Sequence, residues 1–292
     1  MYLSEVIGKQ ATARVVAYSV SAETGEEIIT YELEYPRLVH SEFMTHRLMS
    51  RNAASSRAIP VSALIAMVRE NPAMPARFGA NQPGMQDKGE DYDNPVGVEF
   101  SVDGSILGVA DPQTAWKLAA ESACDVAFNF SKAGYHKQVC NRIIEPYQFI
   151  KVVVTFTGKG NNFFGLREHT DADPTIFDVA EVMNQARAMV QPKVLKAGDW
   201  HMPYYKDGAF VKGRDRGLAK ALRISSSCTA QVSYRKLDDS AEKADMVYNR
   251  LVDSKPVHAS PFEHQATPLK KGVGFRSDLV THVDRAGNAW SG

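Results

Sequence analysis

One stretch of the chain, residues 45–57, concentrates side chains that bind anions. It reads Thr-His-Arg-Leu-Met-Ser-Arg-Asn-Ala-Ala-Ser-Ser-Arg, with three arginines, a histidine, three serines and an asparagine. Guanidinium groups hold phosphate through paired, charge-assisted hydrogen bonds, and serine hydroxyls and backbone N–H groups supply shorter-range donors that orient it. We therefore predict a phosphate ligand for this segment.

Three other polar clusters could contribute to the same site. They are Asn141 with Arg142, Asn161 and Asn162 with Arg167, and the His-Ala-Ser-Pro-Phe-Glu-His segment at 258–264. Taken alone, Arg142 is typical of a surface or ion-paired residue, because charged side chains lie mostly on surfaces. His258 and His264 lack the HExxH spacing and a supporting ligand cluster, so no zinc site is predicted.

Other common site types find no support in the sequence. No GxSxG elbow surrounds Ser55 and Ser56, so phosphate ligation and simple loop hydrogen bonding are the two interpretations left open for these serines. There is no GxxxxGK[ST] or GxGxxG run, which argues against a P-loop or a Rossmann dinucleotide site.

The composition favours a small anionic ligand over nucleic acid. The 292 residues include 34 Lys+Arg and 34 Asp+Glu, so the formal net charge is zero, whereas a long nucleic-acid footprint would leave a basic domain. The three cysteines form no CxxC pair, which suggests a reduced, intracellular protein. No apolar run approaches the roughly 20 residues of a membrane span, so we expect a soluble, cytoplasmic chain.

Hydrophobic periodicity predicts the elements that position these clusters. Apolar positions over 38–49 recur at helical spacing, which predicts that His46 and Arg47 lie late on a helix and that the serines after it form a loop. Asp111 before Pro112 predicts an N-cap. The other predictions are strands at 27–35 and 149–156, helices at 61–70, 111–133, 135–144, 174–190 and 238–252, an insertion or mobile loop at 71–103, and a loop at 198–217.

Together the clusters resemble the signature motifs of the flavin-dependent thymidylate synthases. Residues 46–57 resemble that family's Arg-His-Arg signature with its spaced Ser, Asn-Glu, Ser and Arg. Residues 142–146, Arg-Ile-Ile-Glu-Pro, resemble its Arg-x-x-Leu-Pro, and residues 162–167, Asn-Phe-Phe-Gly-Leu-Arg, resemble its Asn-Phe-x-x-Leu-Arg. The spacing between these segments is also similar to that of the family.

The order of the motifs differs from the family's. There, an Ala-x-Val-Ser-Phe element, a helix and a His-x-Thr-Pro-Phe-Glu-His element precede the arginine signature, whereas the matching segments 230–234 and 258–264 follow it here. The resemblance implies a circularly permuted fold, which requires only that the parent's termini lie close enough to rejoin. It covers about residues 28–66, 113–195 and 223–268 of a single domain, with an insertion at about 71–110.

The resemblance implies an α/β subunit with a mixed sheet and long helices, assembled as a homotetramer whose active sites draw on more than one chain. It implies FAD as cofactor and conversion of dUMP to dTMP, with methylenetetrahydrofolate as the one-carbon donor and NADPH as the reductant. The flavin would carry the redox chemistry, so no enzyme nucleophile is needed. Neither nucleic acid nor membrane is an expected partner.

Carried over residue by residue, the resemblance assigns roles to thirteen positions. Arg167 would face the pyrimidine ring as the catalytic residue, where a fixed cation favours loss of the N3 proton. The other substrate-binding residues would be Glu42, Thr45, Ser55, Ser56, Arg57 and Arg142, of which the last four hold the phosphate. The FAD-binding residues would be His46, Arg47, Asn162, Ser233, His258 and Ser260.

Several positions depart from the family pattern. Thr45 stands where the family has the first arginine of its signature, Ala53 replaces a glutamate, and Glu42 replaces a glutamine. Downstream, Asp171 replaces a histidine. The change at 42 and 45 alters the local charge by up to two units, which leaves two alternatives to thymidylate synthesis. One is C5 modification of another pyrimidine nucleotide, by hydroxymethylation of dUMP or with dCMP as substrate; the other is a nucleotide-binding protein without catalysis.

Overall fold

The computed structural model describes residues 2–84, 86, 89–101, 104–233, 237–269, 282–283 and 289–291. The fold is mixed α/β, as predicted. Its strands are β1 Ser4–Ile7, β2 Thr12–Ser21, β3 Glu27–Pro36, β4 Ser50–Ala53, β5 Val96–Phe100, β6 Ile106–Ala110, β7 Phe149–Thr157, β8 Lys193–Leu195, β9 Trp200–His201, β10 Ala209–Phe210, β11 Thr267–Pro268, β12 His282–Val283 and β13 Ala289–Ser291.

Helices account for most of the remaining regular structure. The α-helices are α1 His40–Phe43, α2 Val61–Glu70, α3 Pro112–Lys132, α4 Lys137–Ile143, α5 Asn161–Arg167, α6 Pro174–Ala188, α7 Leu218–Ala230 and α8 Ala241–Asp253. Short 3-10 helices lie at Arg37–Val39, Ser56–Ala58, Glu145–Tyr147, Gln231–Ser233 and Ser260–Phe262. Among the described residues, no helix is long and apolar enough to span a membrane.

A central sheet of six described strands organises the chain. Its order is β1-β2-β3-β7-β4, and β8 runs parallel to the last part of β2 while the other neighbours are antiparallel. The sheet is therefore mixed. Strand β7 is rich in valine and aromatic residues, which suit a pleated surface buried on both faces.

One face of the sheet packs against α6. Tyr31 and Leu33 of β3 and Val154 of β7 are fully buried there, in one apolar cluster with Ile176 and Met183 of α6. Asp173 caps the start of this helix, because its carboxylate accepts from the backbone N–H of Thr175 at 2.8 Å, and Pro174 follows as the first helical residue.

The opposite face carries a chain of buried polar side chains. Thr30 of β3 and Thr155 of β7 are hydrogen-bonded at 2.6 Å, and both are fully buried. Thr30 also contacts Nε2 of His201 at 2.8 Å, and Thr155 contacts Nδ1 of His264 at 2.8 Å. Ser19 of β2 meets Nδ1 of His201 at 3.0 Å. This buried polar chain attaches the β9 strand and the 258–264 segment to three neighbouring strands.

The structure confirms most predicted elements. Strands at 27–36 and 149–157 and the helix at 61–70 match closely, and α3 begins after Asp111, which accepts from the Thr114 N–H at 3.0 Å. The helices predicted at 135–144, 174–190 and 238–252 appear as α4, α6 and α8. The first 26 residues, for which no element was predicted, form β1 and β2.

The helix predicted over 38–49 is wrong in its second half. Helix α1 ends at Phe43, so His46 and Arg47 lie in a turn. The Thr45 hydroxyl donates to the Glu42 carbonyl at 2.7 Å and takes up an acceptor at the helix end. The predicted serine loop is also partly wrong, because residues 50–53 form β4 and pair with β7.

Two segments predicted as loops contain hairpins. Strands β5 and β6 pair within and just beyond the 71–103 region, and β9 pairs with β10 inside 198–217. Both hairpins involve short strands, and the side chains of β5 are mostly exposed, so the apolar alternation of a half-buried strand is weak there.

We predict that Thr155→Val lowers the free energy of unfolding by about 1–3 kcal/mol. The variant lacks the hydroxyl that is hydrogen-bonded to the buried Thr30 hydroxyl and to Nδ1 of His264. Chemical denaturation measures this change. Thr24→Val, at an exposed threonine, is the matched control and should stay within about 0.5 kcal/mol of the wild type. Equal stability of the two variants would contradict an energetic role for the buried polar chain.

Candidate active site

A cavity of about 650 Å³ opens where β3 begins and β7 ends. The turn after β7, residues 157–160, forms one wall with the start of α5, and residues 25–27 form another. The turn after α1 forms the third wall. The residues that line the whole cavity include Thr45, His46, Arg47, Leu48, Met49, Phe156, Lys159, Asn162 and Phe163.

The cavity combines an apolar interior with cations near the opening. Phe163, Phe156 and Met49 are buried, whereas Arg47 and Lys159 are exposed. Binding pockets of this kind hold a largely apolar ligand and fix it with a few polar groups. The arrangement suits a ligand that joins a flat aromatic system to an anionic group.

Arg167 lies at the centre of the polar contacts beside the cavity. Its Nε–H donates to Nε2 of His46 at 3.0 Å, and its Nη1 pairs with Oε2 of Glu42 at 3.0 Å. Phe163 packs edge-on against the His46 ring, with 4.9 Å between centroids. Glu42 and His46, which lie four positions apart in one segment, thus fix the guanidinium group of Arg167. We call Arg167, His46 and Glu42 the Arg167 triad.

His46 must be neutral in this arrangement. Because Arg167 donates to Nε2, that nitrogen is an acceptor and the ring proton lies on Nδ1. Burial lowers the pKa of His46 below its ordinary value of 6.5, and the cations of Arg167 and Arg51 lower it further. Arg51 is fixed in position, since its Nη1 donates to the Phe43 carbonyl at 3.0 Å.

A second cluster surrounds Glu145, the first residue of the 3-10 helix that follows α4. The Ser56 hydroxyl donates to its carboxylate at 2.9 Å, Arg37 pairs with it at 3.1 Å, and Arg142 approaches within 3.7 Å. Arg142 remains largely exposed and lines a shallow depression of about 570 Å³ together with Arg57 and Phe130. The fold therefore brings Ser56, Arg57 and Arg142 close to one another.

Ser55 directly precedes the 3-10 helix at Ser56–Ala58 and is half-buried. Asn141 is fully buried and donates from its amide to the carbonyls of Ser56 and Ile59. Buried Asn141 thus holds the backbone of the loop that carries the predicted phosphate ligands. In the sequence, this asparagine forms a polar cluster with Arg142.

The C-terminal element lies against the arginine-rich segment. The Ser260 hydroxyl contacts Oδ1 of Asn52 at 3.2 Å, and the Asn52 amide donates to the Thr229 carbonyl at 2.7 Å. Segments separated by more than 170 residues in sequence therefore meet at β4.

Two predicted cofactor residues are not part of the cavity wall. His258 is exposed, and neither it nor Ser260 is among the described lining residues. Ser233 ends the 3-10 helix at Gln231–Ser233, and its side chain lies outside the described part of the structure. Within the described residues, no group of three or more His, Cys, Asp or Glu side chains could hold a metal ion.

The sequence did not predict that the Glu145 carboxylate would contact Ser56, Arg37 and Arg142. An available signal was its position three residues after Arg142, which places the two side chains on the same side of a helical turn. The contact between Glu42 and Arg167 had no such signal, because 125 positions separate them.

Comparisons with known proteins find distant structural likeness only. No protein-family profile and no curated protein matches the chain. Among solved structures, a UMP/dUMP methylase PolB from Streptomyces cacaoi bound with 5-Br UMP has a TM-score of 0.39 and 16% identity, covering 61% of this chain and 88% of that one. The same methylase bound with 5-Br dUMP has a TM-score of 0.38 and 19% identity, covering 56% and 67%. Scores at this level carry no argument about function.

The neutral state of His46 predicts a pH dependence of stability. Its pKa is lower in the folded chain, so the unfolded chain binds more protons below about pH 6.5, and stability is lost as the pH falls through that value. His46→Gln keeps an acceptor for Arg167 but cannot be protonated. Thermal unfolding between pH 8 and 5.5 should therefore show a smaller loss of stability in this variant than in the wild type.

The control for this measurement is His169→Gln, at an exposed histidine. Its pH profile should follow the wild type. If the His46→Gln profile also followed the wild type, the contact between a neutral His46 and Arg167 would be contradicted.

Proposed function

We propose that the protein is a flavin-dependent enzyme that modifies C5 of a pyrimidine nucleotide, with conversion of dUMP to dTMP as the leading reaction. The supporting observation is the Arg167 triad beside a cavity lined by His46, Arg47 and Asn162. These are the residues to which the sequence motifs assign the pyrimidine and the flavin. They come from separate segments and meet at one place.

The cavity fits FAD in the chemistry of its lining. Its buried wall of Phe163, Phe156 and Met49 suits an aromatic ring system, and Arg47 and Lys159 suit a pyrophosphate. Arg47, His46 and Asn162 would hold the cofactor. When bound, FAD would supply the reducing equivalents that NADPH delivers, with methylenetetrahydrofolate as the carbon donor.

The nucleotide phosphate would bind at the depression shared by Arg57 and Arg142. Both guanidinium groups are exposed there, and Ser55 and Ser56 lie at the adjoining loop. Glu145 fixes Arg37 and Ser56, while the long 3.7 Å contact leaves Arg142 free to turn toward a phosphate. A paired grip by two arginines would orient the nucleotide as well as bind it.

Arg167 would act on the base. A guanidinium beside the pyrimidine favours the N3-deprotonated form and increases electron density at C5. His46 and Glu42 fix its orientation, so it needs little reorganisation when the substrate arrives. Glu42 also offsets part of its charge, which distinguishes this chain from the family pattern of a glutamine.

The Glu42 contact is the observation that favours a second candidate function. A carboxylate paired with Arg167 weakens the field that a uracil anion requires, and Thr45 adds no cation in return. Hydroxymethylation of dUMP, or a reaction on dCMP, is the corresponding enzymatic alternative. A binding protein without catalysis is the remaining one, and it predicts nucleotide binding without flavin turnover.

A homotetramer is part of the same proposal. Apolar side chains are exposed on the β5–β6 hairpin and on α3, among them Phe100, Ile106, Leu107, Val126 and Phe128. A partner chain that covered these side chains would remove their apolar surface from water. Light scattering of the purified protein would measure the mass of the assembly.

We expect the purified protein to bind FAD and to convert dUMP to dTMP when NADPH and methylenetetrahydrofolate are supplied. Arg167→Gln should lower kcat by roughly 10²–10³-fold, because it removes a fixed cation from the reacting base, yet FAD should remain bound. Mass analysis of products from dUMP and dCMP measures the outcome.

The matched control is Arg223→Gln, since Arg223 is a half-exposed arginine paired with Asp245 on another surface. It should leave turnover unchanged. The identity of the product would distinguish methylation of dUMP from hydroxymethylation of dUMP and from a reaction on dCMP. Protein that neither binds FAD nor yields any modified nucleotide would overturn the proposal.

A further inference from the structure

Arg187, on the last turn of α6, reaches two walls of the cavity from behind. Its Nη1 donates to the carbonyl of Lys159 at 2.9 Å, and its Nη2 is hydrogen-bonded to the carboxylate of Glu27. Its Nε donates to the Tyr18 hydroxyl at 3.1 Å, and that hydroxyl donates to Glu27 at 2.6 Å. We call Arg187, Tyr18, Glu27 and the Lys159 carbonyl the Arg187 cluster.

The cluster is largely enclosed. The side chains of Arg187 and Glu27 are only 13% and 18% exposed, and the guanidinium lies over the Tyr18 ring at 5.5 Å. A cation at a helix C-terminus is favourable in itself, but that effect needs no particular partner. The hydrogen bonds from Arg187 to Glu27 and to the Lys159 carbonyl go beyond this general effect, because every nitrogen of the guanidinium has its own acceptor in the cluster.

The two walls also meet directly. The Gly158 N–H donates to the Glu27 carbonyl at 2.7 Å, which joins the turn after β7 to the start of β3. Gly158 and Gly160 both adopt positive φ, a region open to glycine at little cost, so local residues alone fix this turn weakly. The contact from Arg187 to Lys159 supplies a fixed point between these two glycines.

The charge of the wall depends on the same arginine. Glu26 and Glu27 line the same cavity as Arg47 and Lys159. With Arg187 in place, the Glu27 carboxylate is compensated, and the cations can act on an anionic ligand. Without it, Glu27 would present an uncompensated charge of the wrong sign to a pyrophosphate.

We propose that Arg187 is a positioning residue for the anionic part of the ligand in this cavity. It compensates Glu27 and holds the 157–160 turn, which carries Lys159 in the wall of the cavity. The inference deepens the proposed function and rests on it for the identity of the ligand, FAD.

The first measurement is hydrogen exchange of the full-length protein without FAD. In Arg187→Gln, amides of the 156–163 segment should exchange on the order of tenfold faster than in the wild type, because the turn has lost its fixed point. Amides of α3, remote from the cluster, should be unchanged. Equal exchange of 156–163 in both proteins would overturn the positioning role.

The second measurement is the Kd for FAD from quenching of flavin fluorescence. Arg187→Gln should weaken binding by roughly tenfold or more, and the double variant Arg187→Gln/Glu27→Gln should recover part of that loss because position 27 no longer carries a charge. Arg223→Gln is the matched control and should bind as the wild type does. No recovery in the double variant would overturn the electrostatic part of the inference.

Tyr18→Phe is a milder change that still tests the Arg187 cluster if Arg187→Gln is poorly soluble. It removes only the hydroxyl between Arg187 and Glu27, and it should change exchange and Kd in the same direction by a smaller factor. Wild-type protein that fails to bind FAD would overturn the proposed function, whereas the exchange measurement would still decide the role of Arg187.

Discussion

Strand β7 pairs with β3 on one side and β4 on the other, and both parts of the candidate site depend on this pairing. Its backbone fixes residues 50–53, so the arginine-rich segment cannot continue as the helix that its apolar spacing suggests. Its last residue leads into the turn that forms one wall of the cavity. The position of each cluster therefore follows from a backbone register rather than from the polar residues themselves.

Carboxylates organise the cations of the site. Glu42 holds Arg167, Glu145 holds Arg37 and Ser56, and Glu27 holds Arg187. An isolated arginine on a surface samples many rotamers, and ordering it costs conformational entropy. Each paired arginine has already lost part of that freedom before a ligand binds. The arginines left more exposed, Arg47, Arg57 and Arg142, are those to which we assign direct contact with ligand anions.

The sequence predicts the local features of this fold well. Asp111 followed by Pro112 marks the start of α3, and β-branched residues mark β7, because caps and strand propensity act over a few residues. It predicts the position of His46 wrongly, because pairing of β4 with β7 overrides the helical spacing before it. The Glu42 contact to Arg167 and the Ser260 contact to Asn52 join distant segments, and a single sequence carries no signal for them. The motif resemblance predicts a set of site residues but not the contacts among them, which depend on the folded chain.

The buried polar chain has a consequence for how the protein is made. Thr155 is paired with a histidine 109 positions later, and Ser19 with one 182 positions later. During synthesis the strands are therefore complete long before His201 and His264 leave the ribosome. Until then, one face of the sheet presents hydroxyls that lack their histidine partners, together with apolar side chains. A chaperone that shields this face would protect the nascent chain, and a polypeptide that stops short of residue 264 would keep it exposed to degradation.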